Sequence, residues 1–131
     1  MTYNIYFSFG SNMLEERFKE RCKTAVRLNT YGVLNDYKLV FNRKGDYENG
    51  GVASIIPSKG DTVFGAIFLI SNEDLQKLDT IESPNGDSYY RESIKVKTKT
   101  NLLLECQTYI SYPNGNFKPT KKYLNWIITG A

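Results

Sequence analysis

The sequence contains no histidine at all. That excludes Ser-His-Asp and Cys-His nucleophiles, and it removes the commonest general base and metal ligand. Cysteine is scarce too. Cys22 and Cys106 have neither metal-binding nor redox spacing and are expected as reduced core thiols in a cytoplasmic protein. No run approaches the ~20 apolar residues of a membrane span, and no basic stretch with an apolar core opens the chain, so neither an anchor nor a secretory signal is expected. Charge of one sign is also lacking. The 17 Lys and Arg against 14 Asp and Glu leave a net charge of +3, with the basic residues dispersed, which disfavours a nucleic-acid partner. What the chain does have is 40% hydrophobic residues and ten tyrosines in 131 residues. That describes one globular domain over 1–131, able to bury roughly two-thirds of the surface its unfolded chain exposes.

In Tyr3 to Phe9, Ile5, Phe7 and Phe9 alternate with Asn4, Tyr6 and Ser8, the period of a strand with one apolar and one polar face. Gly10-Ser11-Asn12 follows, and Asn12 with Glu15 forms a capping pattern for a helix over Met13 to Cys22. Tyr31–Leu34 and Tyr37–Phe41 read as strands around a turn at Asn35-Asp36. Asn42 to Gly51 reads as a loop, Val52–Ile56 as a strand ended by Pro57, and Lys59-Gly60-Asp61 as a turn. Thr62–Ile70 is nearly continuously apolar, as in a strand covered on both faces. Ser71, with Asp74 three residues on, is expected to cap a helix containing Leu75, Leu78 and Ile81. Tyr89–Lys97 and Leu102–Ile110 form an expected hairpin through Lys99-Thr100-Asn101, and a last helix starts at Pro119-Thr120. Six or seven strands with three short helices imply an α+β fold, a small mixed β-barrel flanked by short helices.

Three features could carry chemistry. The Gly10-Ser11-Asn12 junction can present N–H groups at a helix N-terminus, where an anion or developing oxyanion is stabilised; equally, it is what an ordinary strand-to-helix turn with an Asn cap looks like. Glu82 falls within about 60° of Leu75 and Leu78 at 100° per residue. A carboxylate there would face the domain at a helix C-terminus, and both circumstances raise its pKa toward that of a general acid/base. Alternatively the helix ends at Ile81 and Glu82 opens a solvated loop. Asp79 lies on the other flank of the stripe and could be a second carboxylate, although a solvated role is the expected one. Tyr6, Tyr89, Tyr90 and Tyr123 could orient a polar ligand through their hydroxyls.

The order of features resembles the γ-glutamylcyclotransferase (AIG2-like) family. Tyr6-Phe7-Ser8-Phe9-Gly10-Ser11-Asn12-Met13 is similar to its YFAYGSNL loop. Gly50–Ile55, Val63–Ile67, Leu78-Asp79-Thr80-Ile81-Glu82, Tyr89, Pro119–Tyr123 and the closing Gly130-Ala131 each resemble a family segment in the same order. The resemblance implies a barrel with a cavity at one end and an enzyme that cuts γ-glutamyl amides, a chemistry of glutathione metabolism. The glutamyl α-amine attacks its own γ-carbonyl, giving 5-oxoproline and a free amino acid or amine, with neither metal nor cofactor. It implies Glu82 as catalytic acid/base, and Tyr6, Phe7, Ser8, Phe9, Gly10, Ser11, Asn12, Tyr89 and Tyr123 as substrate-binding residues. The implied partner is a small γ-glutamyl compound, with no nucleic acid and no membrane; an isologous homodimer is the default expectation for association. The alternatives are a relative acting on γ-glutamyl-amines or deprotecting a biosynthetic intermediate and, from another class, a non-catalytic metabolite-binding barrel. Two departures bear on substrate choice: Phe9 stands where the family loop has tyrosine, and Ser8 where it has alanine. The 83–88 loop also lacks the usual glutamate-glycine sequence.

Overall fold

The computed structural model describes residues 3–9, 23–44, 51–82 and 89–112. The described elements run β1 (Tyr3–Ser8), β2 (Val26–Lys44), β3 (Gly51–Ser71), α1 (Asn72–Glu82), β4 (Tyr89–Thr98) and β5 (Leu103–Ser111). The strands close into a barrel in the order β1-β3-β2-β4-β5. Every pairing is antiparallel except β1 with β5, which is parallel at Tyr6 and Gln107, so the barrel is mixed as expected. The helices expected at Met13–Cys22 and after Pro119 lie outside the described residues.

Among the described residues the strands number five, where the sequence implied six or seven. Asn35-Asp36 does not turn the chain back, and Pro57 does not end a strand. Instead β2 runs 19 residues and β3 runs 21. The turn-forming residues are absorbed into one irregularity. Asn35 pairs with Thr62 and Tyr37 with Pro57, so Asp36 alone faces the stretch Ser58 to Asp61. Asp36 has φ 65° and Gly60 φ 87°, the left-handed backbone that turn sequences favour. The Gly60 N–H donates to Asp36 Oδ1 at 3.1 Å, and Pro57, which has no N–H to donate, sits where the ladder is already interrupted. The β4–β5 hairpin forms as expected, with Asn101 at φ 65° and its N–H bonded to Thr98 O at 2.9 Å.

Two apolar layers share the sheet. The barrel interior holds Phe7, Phe9, Leu34, Ile55, Val63, Ile67, Ile94, Val96 and Cys106. The outer layer joins Tyr6, Ala66, Phe68, Ile70 and Tyr109 to Leu75 and Leu78 of α1. The second face of β1 is therefore not a solvated polar face: Tyr6 and Ser8 are as buried as Phe7. Phe7 occupies space left by two glycines. A Cβ on Gly32 would meet its ring at 2.9 Å, and one on Gly65 would meet it at 2.7 Å and press closer still on the Ser8 carbonyl oxygen.

Ser71 caps α1 as the sequence implies, its Oγ accepting the Asp74 N–H at 3.2 Å. Asp74 then holds the turn before β2. Thr24 donates to Asp74 Oδ2 from its hydroxyl and, at 2.9 Å, from its N–H. Burial alone would raise the Asp74 pKa, but these bonds and the Lys77 ammonium overcome it and leave the carboxyl below its ordinary value. Leu75 and Leu78 are fully buried, which stabilises the helix against the sheet by roughly 1.5–3 kcal/mol for each side chain. Ile81 is exposed. No described helix is long and apolar enough to cross a membrane.

Candidate active site

The position of α1 decides which part of the sheet it covers. Its first residue, Asn72, accepts a hydrogen bond from Asn4 Nδ2 at 3.1 Å, so the helix starts over the beginning of β1. One and two turns on, the Tyr109 hydroxyl lies 3.3 Å from Leu75 O and donates to Asp79 Oδ1 at 2.5 Å. Tyr109 is two residues past Gln107, the parallel partner of Tyr6, and so stands beside Ser8. The helix thus runs along β1 toward the loop that follows it, and its last turn lies at the Ser8 end.

Helix α1 continues through Glu82. Of the two alternatives open in the sequence, the one that ended the helix at Ile81 is corrected. Glu82 is one turn past Leu78 and two past Leu75, on the helical phase of two fully buried side chains. The Glu82 side chain, Gly10, Ser11, Asn12 and Tyr123 lie outside the described residues.

Among the described residues, the sheet brings several expected site residues onto one face. Arg91 pairs with Tyr109 and Tyr89 with Ser111 in the β4–β5 ladder. Directly paired residues project to the same side, so Ser8, Tyr109 and Arg91 form one row across β1, β5 and β4, with Ser111 and Tyr89 in the next row. Tyr6 lies behind them, its ring 5.9 Å from that of Tyr109. Tyr89 is half-buried and packs against both apolar layers. The adjacent Tyr90 is a poorer candidate, because its ring sits 5.1 Å from that of Tyr112 and it projects to the other side of the strand. Phe7 and Phe9 do not belong to this face. They point into the barrel with ring centroids 6.1 Å apart, so they shape the site through packing.

Several residues that position this face were not singled out by the sequence for that role. Asp79, expected to be solvated, bonds the Tyr109 hydroxyl and pairs with Arg91 Nε at 3.3 Å. Arg91 thereby brings positive charge to a helix end whose last turn has none of its own. The Ser111 N–H donates to the buried Ser54 Oγ at 2.9 Å, and the Thr108 hydroxyl donates to Phe7 O at 2.8 Å. These bonds tie β5 to β3 and β1 at the end of the barrel where the candidate site lies. The hydrogen bonds among them join residues 30 or more apart in the chain, so no local pattern announces them.

Comparison with known proteins bears on the same arrangement. The sequence pattern of the AIG2-like family matches residues 62–131. A mouse protein named gamma-glutamylcyclotransferase is 30% identical, over 97% of this chain and 69% of the relative. A human protein of the same name is 31% identical over the same shares. A solved structure named gamma-glutamyl cyclotransferase superposes with a TM-score of 0.93 at 28% identity, covering 99% of this chain and 79% of that one.

Proposed function

The chain belongs to the AIG2-like family, and from that premise we propose that it is a γ-glutamylcyclotransferase whose acid/base is Glu82. The substrate's α-ammonium gives a proton to the Glu82 carboxylate. The freed amine attacks the γ-carbonyl carbon within the same molecule; as the γ-amide C–N bond breaks, the ring nitrogen gives up its second proton and Glu82 returns the one it took, so that both end on the departing amine, which leaves as an ammonium. The products are 5-oxoproline and a free amino acid or amine. An ammonium group is no nucleophile, so the site must contain a proton acceptor; this chain has no histidine to be one, and the family resemblance gives the role to Glu82.

The observation that carries this reading is the course of α1. It holds Glu82 in helical phase with Leu75 and Leu78 and ends over the row Ser8–Tyr109–Arg91. The attack is intramolecular, so fixing the glutamyl group accelerates it. By the family resemblance, Gly10, Ser11 and Asn12 would hold the substrate's oxygens, and Tyr6, Tyr89 and Tyr123 would contact the glutamyl group. Asp79 serves differently: it is engaged by Tyr109 and Arg91 and steadies the helix that presents Glu82. We place the enzyme in the cytoplasm, where the free thiol of Cys106 stays reduced.

The test is release of 5-oxoproline from a panel of γ-glutamyl dipeptides, γ-glutamyl amines and glutathione. Glu82→Gln should lower kcat by about 10²–10⁴, the usual contribution of a positioned acid/base, with KM nearly unchanged. A wild-type rate in that variant refutes the assignment. A wild-type protein that makes no 5-oxoproline from any member, yet binds one of them, would instead be a binding barrel.

A further inference from the structure

Among the described residues, buried hydroxyls are satisfied with one exception. Ser54 Oγ accepts the Ser111 N–H, Ser71 Oγ accepts the Asp74 N–H, Thr98 Oγ1 accepts the Leu102 N–H, and Thr108 Oγ1 donates to Phe7 O. Ser8 Oγ, in a residue 1% exposed, has no hydrogen-bond partner among the described residues. Leaving a hydroxyl dry and unpaired is costly, and an orphan of this kind calls for an explanation. Packing does not supply one, because a methyl group would fill the same position opposite Ala66 without the desolvation cost. Position does. Ser8 ends β1, stands beside Tyr109 under the last turns of α1, and leads directly into the loop after β1.

We propose that Ser8 is a substrate-recognition residue of this chain, its hydroxyl donating a hydrogen bond to an oxygen of the bound glutamyl group. The assignment rests on the γ-glutamyl reading and adds to it a side-chain contact beyond backbone N–H groups. The glutamyl half is the part of the substrate concerned, because Ser8 lies at the buried base of the face. The leaving amine, which varies among γ-glutamyl compounds, needs the open side. The bond made on binding also ends the desolvation of an unpaired hydroxyl, so the free enzyme gives up stability that the complex recovers.

The experiment compares wild type, Ser8→Ala and Ser8→Cys across the same γ-glutamyl panel, with Tm measured for each. Wild-type release of 5-oxoproline is the control. If no compound yields any, the γ-glutamyl reading fails and this assignment falls with it. Given wild-type activity, Ser8→Ala should raise KM about 10-fold, the equivalent of one hydrogen bond to a charged or strongly polar oxygen. The factor should be the same for every leaving amine, kcat should stay within about two-fold, and Tm should be unchanged or higher. Ser8→Cys, a weaker donor of similar shape, should fall between the two. An unchanged KM overturns the assignment while leaving the γ-glutamyl reading intact. So does a KM effect that differs from amine to amine, or a lower Tm in both variants, which would mark a structural role.

Discussion

At the scale of single residues, the same side-chain type behaves differently according to its neighbours. Cys106 is fully buried in the barrel interior. Burial, with the nearby Glu105 carboxylate, pushes its thiol up to about 11, so near pH 8 roughly a thousandth of it is thiolate even before access is considered. Peptide mapping after treatment with a maleimide should find Cys106 unmodified in the native protein and modified in denaturant. Its place as a reduced core thiol was legible, because cysteine is among the most buried residue types. Ser8 was legible only as a departure from a family loop. That its hydroxyl lacks a partner depends on which atoms of β3 and β5 arrive beside it.

At the scale of elements, α1 was the most legible part of the chain. Its cap, its apolar stripe and the phase of Glu82 all follow from spacing within 12 residues. What spacing did not disclose is that Asp74, beyond its place at the start of the helix, holds Thr24 and so anchors the entry to β2. Asp74→Ala should cost about 1–3 kcal/mol, because it leaves the Thr24 N–H without its acceptor. The Asp74 carboxyl is depressed below 3.8 in the folded state. Its contribution is therefore complete above that value and lost as pH falls through the folded one. The Tm gap between wild type and Asp74→Ala should be widest near neutrality and close on acidification below about pH 4. The long strands were least legible. Asp36, Pro57 and Gly60 are true turn signals, but an irregularity between two strands satisfies them as well as a hairpin does. Only long-range pairing distinguishes the two.

For the molecule as a whole, β1 joins the two apolar layers: Phe7 and Phe9 face the barrel interior, while Tyr6 and Ser8 face α1. Barrel closure through the parallel β1–β5 pairing is non-local, and the sequence conveyed it through the family resemblance more than through any pattern of its own. The shared strand couples the site to global stability. Phe7→Ala should cost about 3–5 kcal/mol. Far-UV circular dichroism and 5-oxoproline release should then be lost in a single coincident transition, because neither layer persists without β1. Separate transitions would mean that the layer under α1 folds independently of the barrel.

The ring of Phe7 lying over Gly32 and Gly65 has a consequence for how such a barrel can drift in sequence. At Gly32 the obstacles to a methyl group are side chains, Val96 Cγ1 at 2.5 Å and the Phe7 ring. Both can shrink, so volume can be traded among positions 7, 32 and 96. At Gly65 the nearest obstacle is the backbone carbonyl oxygen of Ser8, which no exchange of side chains removes. One glycine is therefore negotiable and the other is not, and the fixed one lies against the residue from which the candidate site begins.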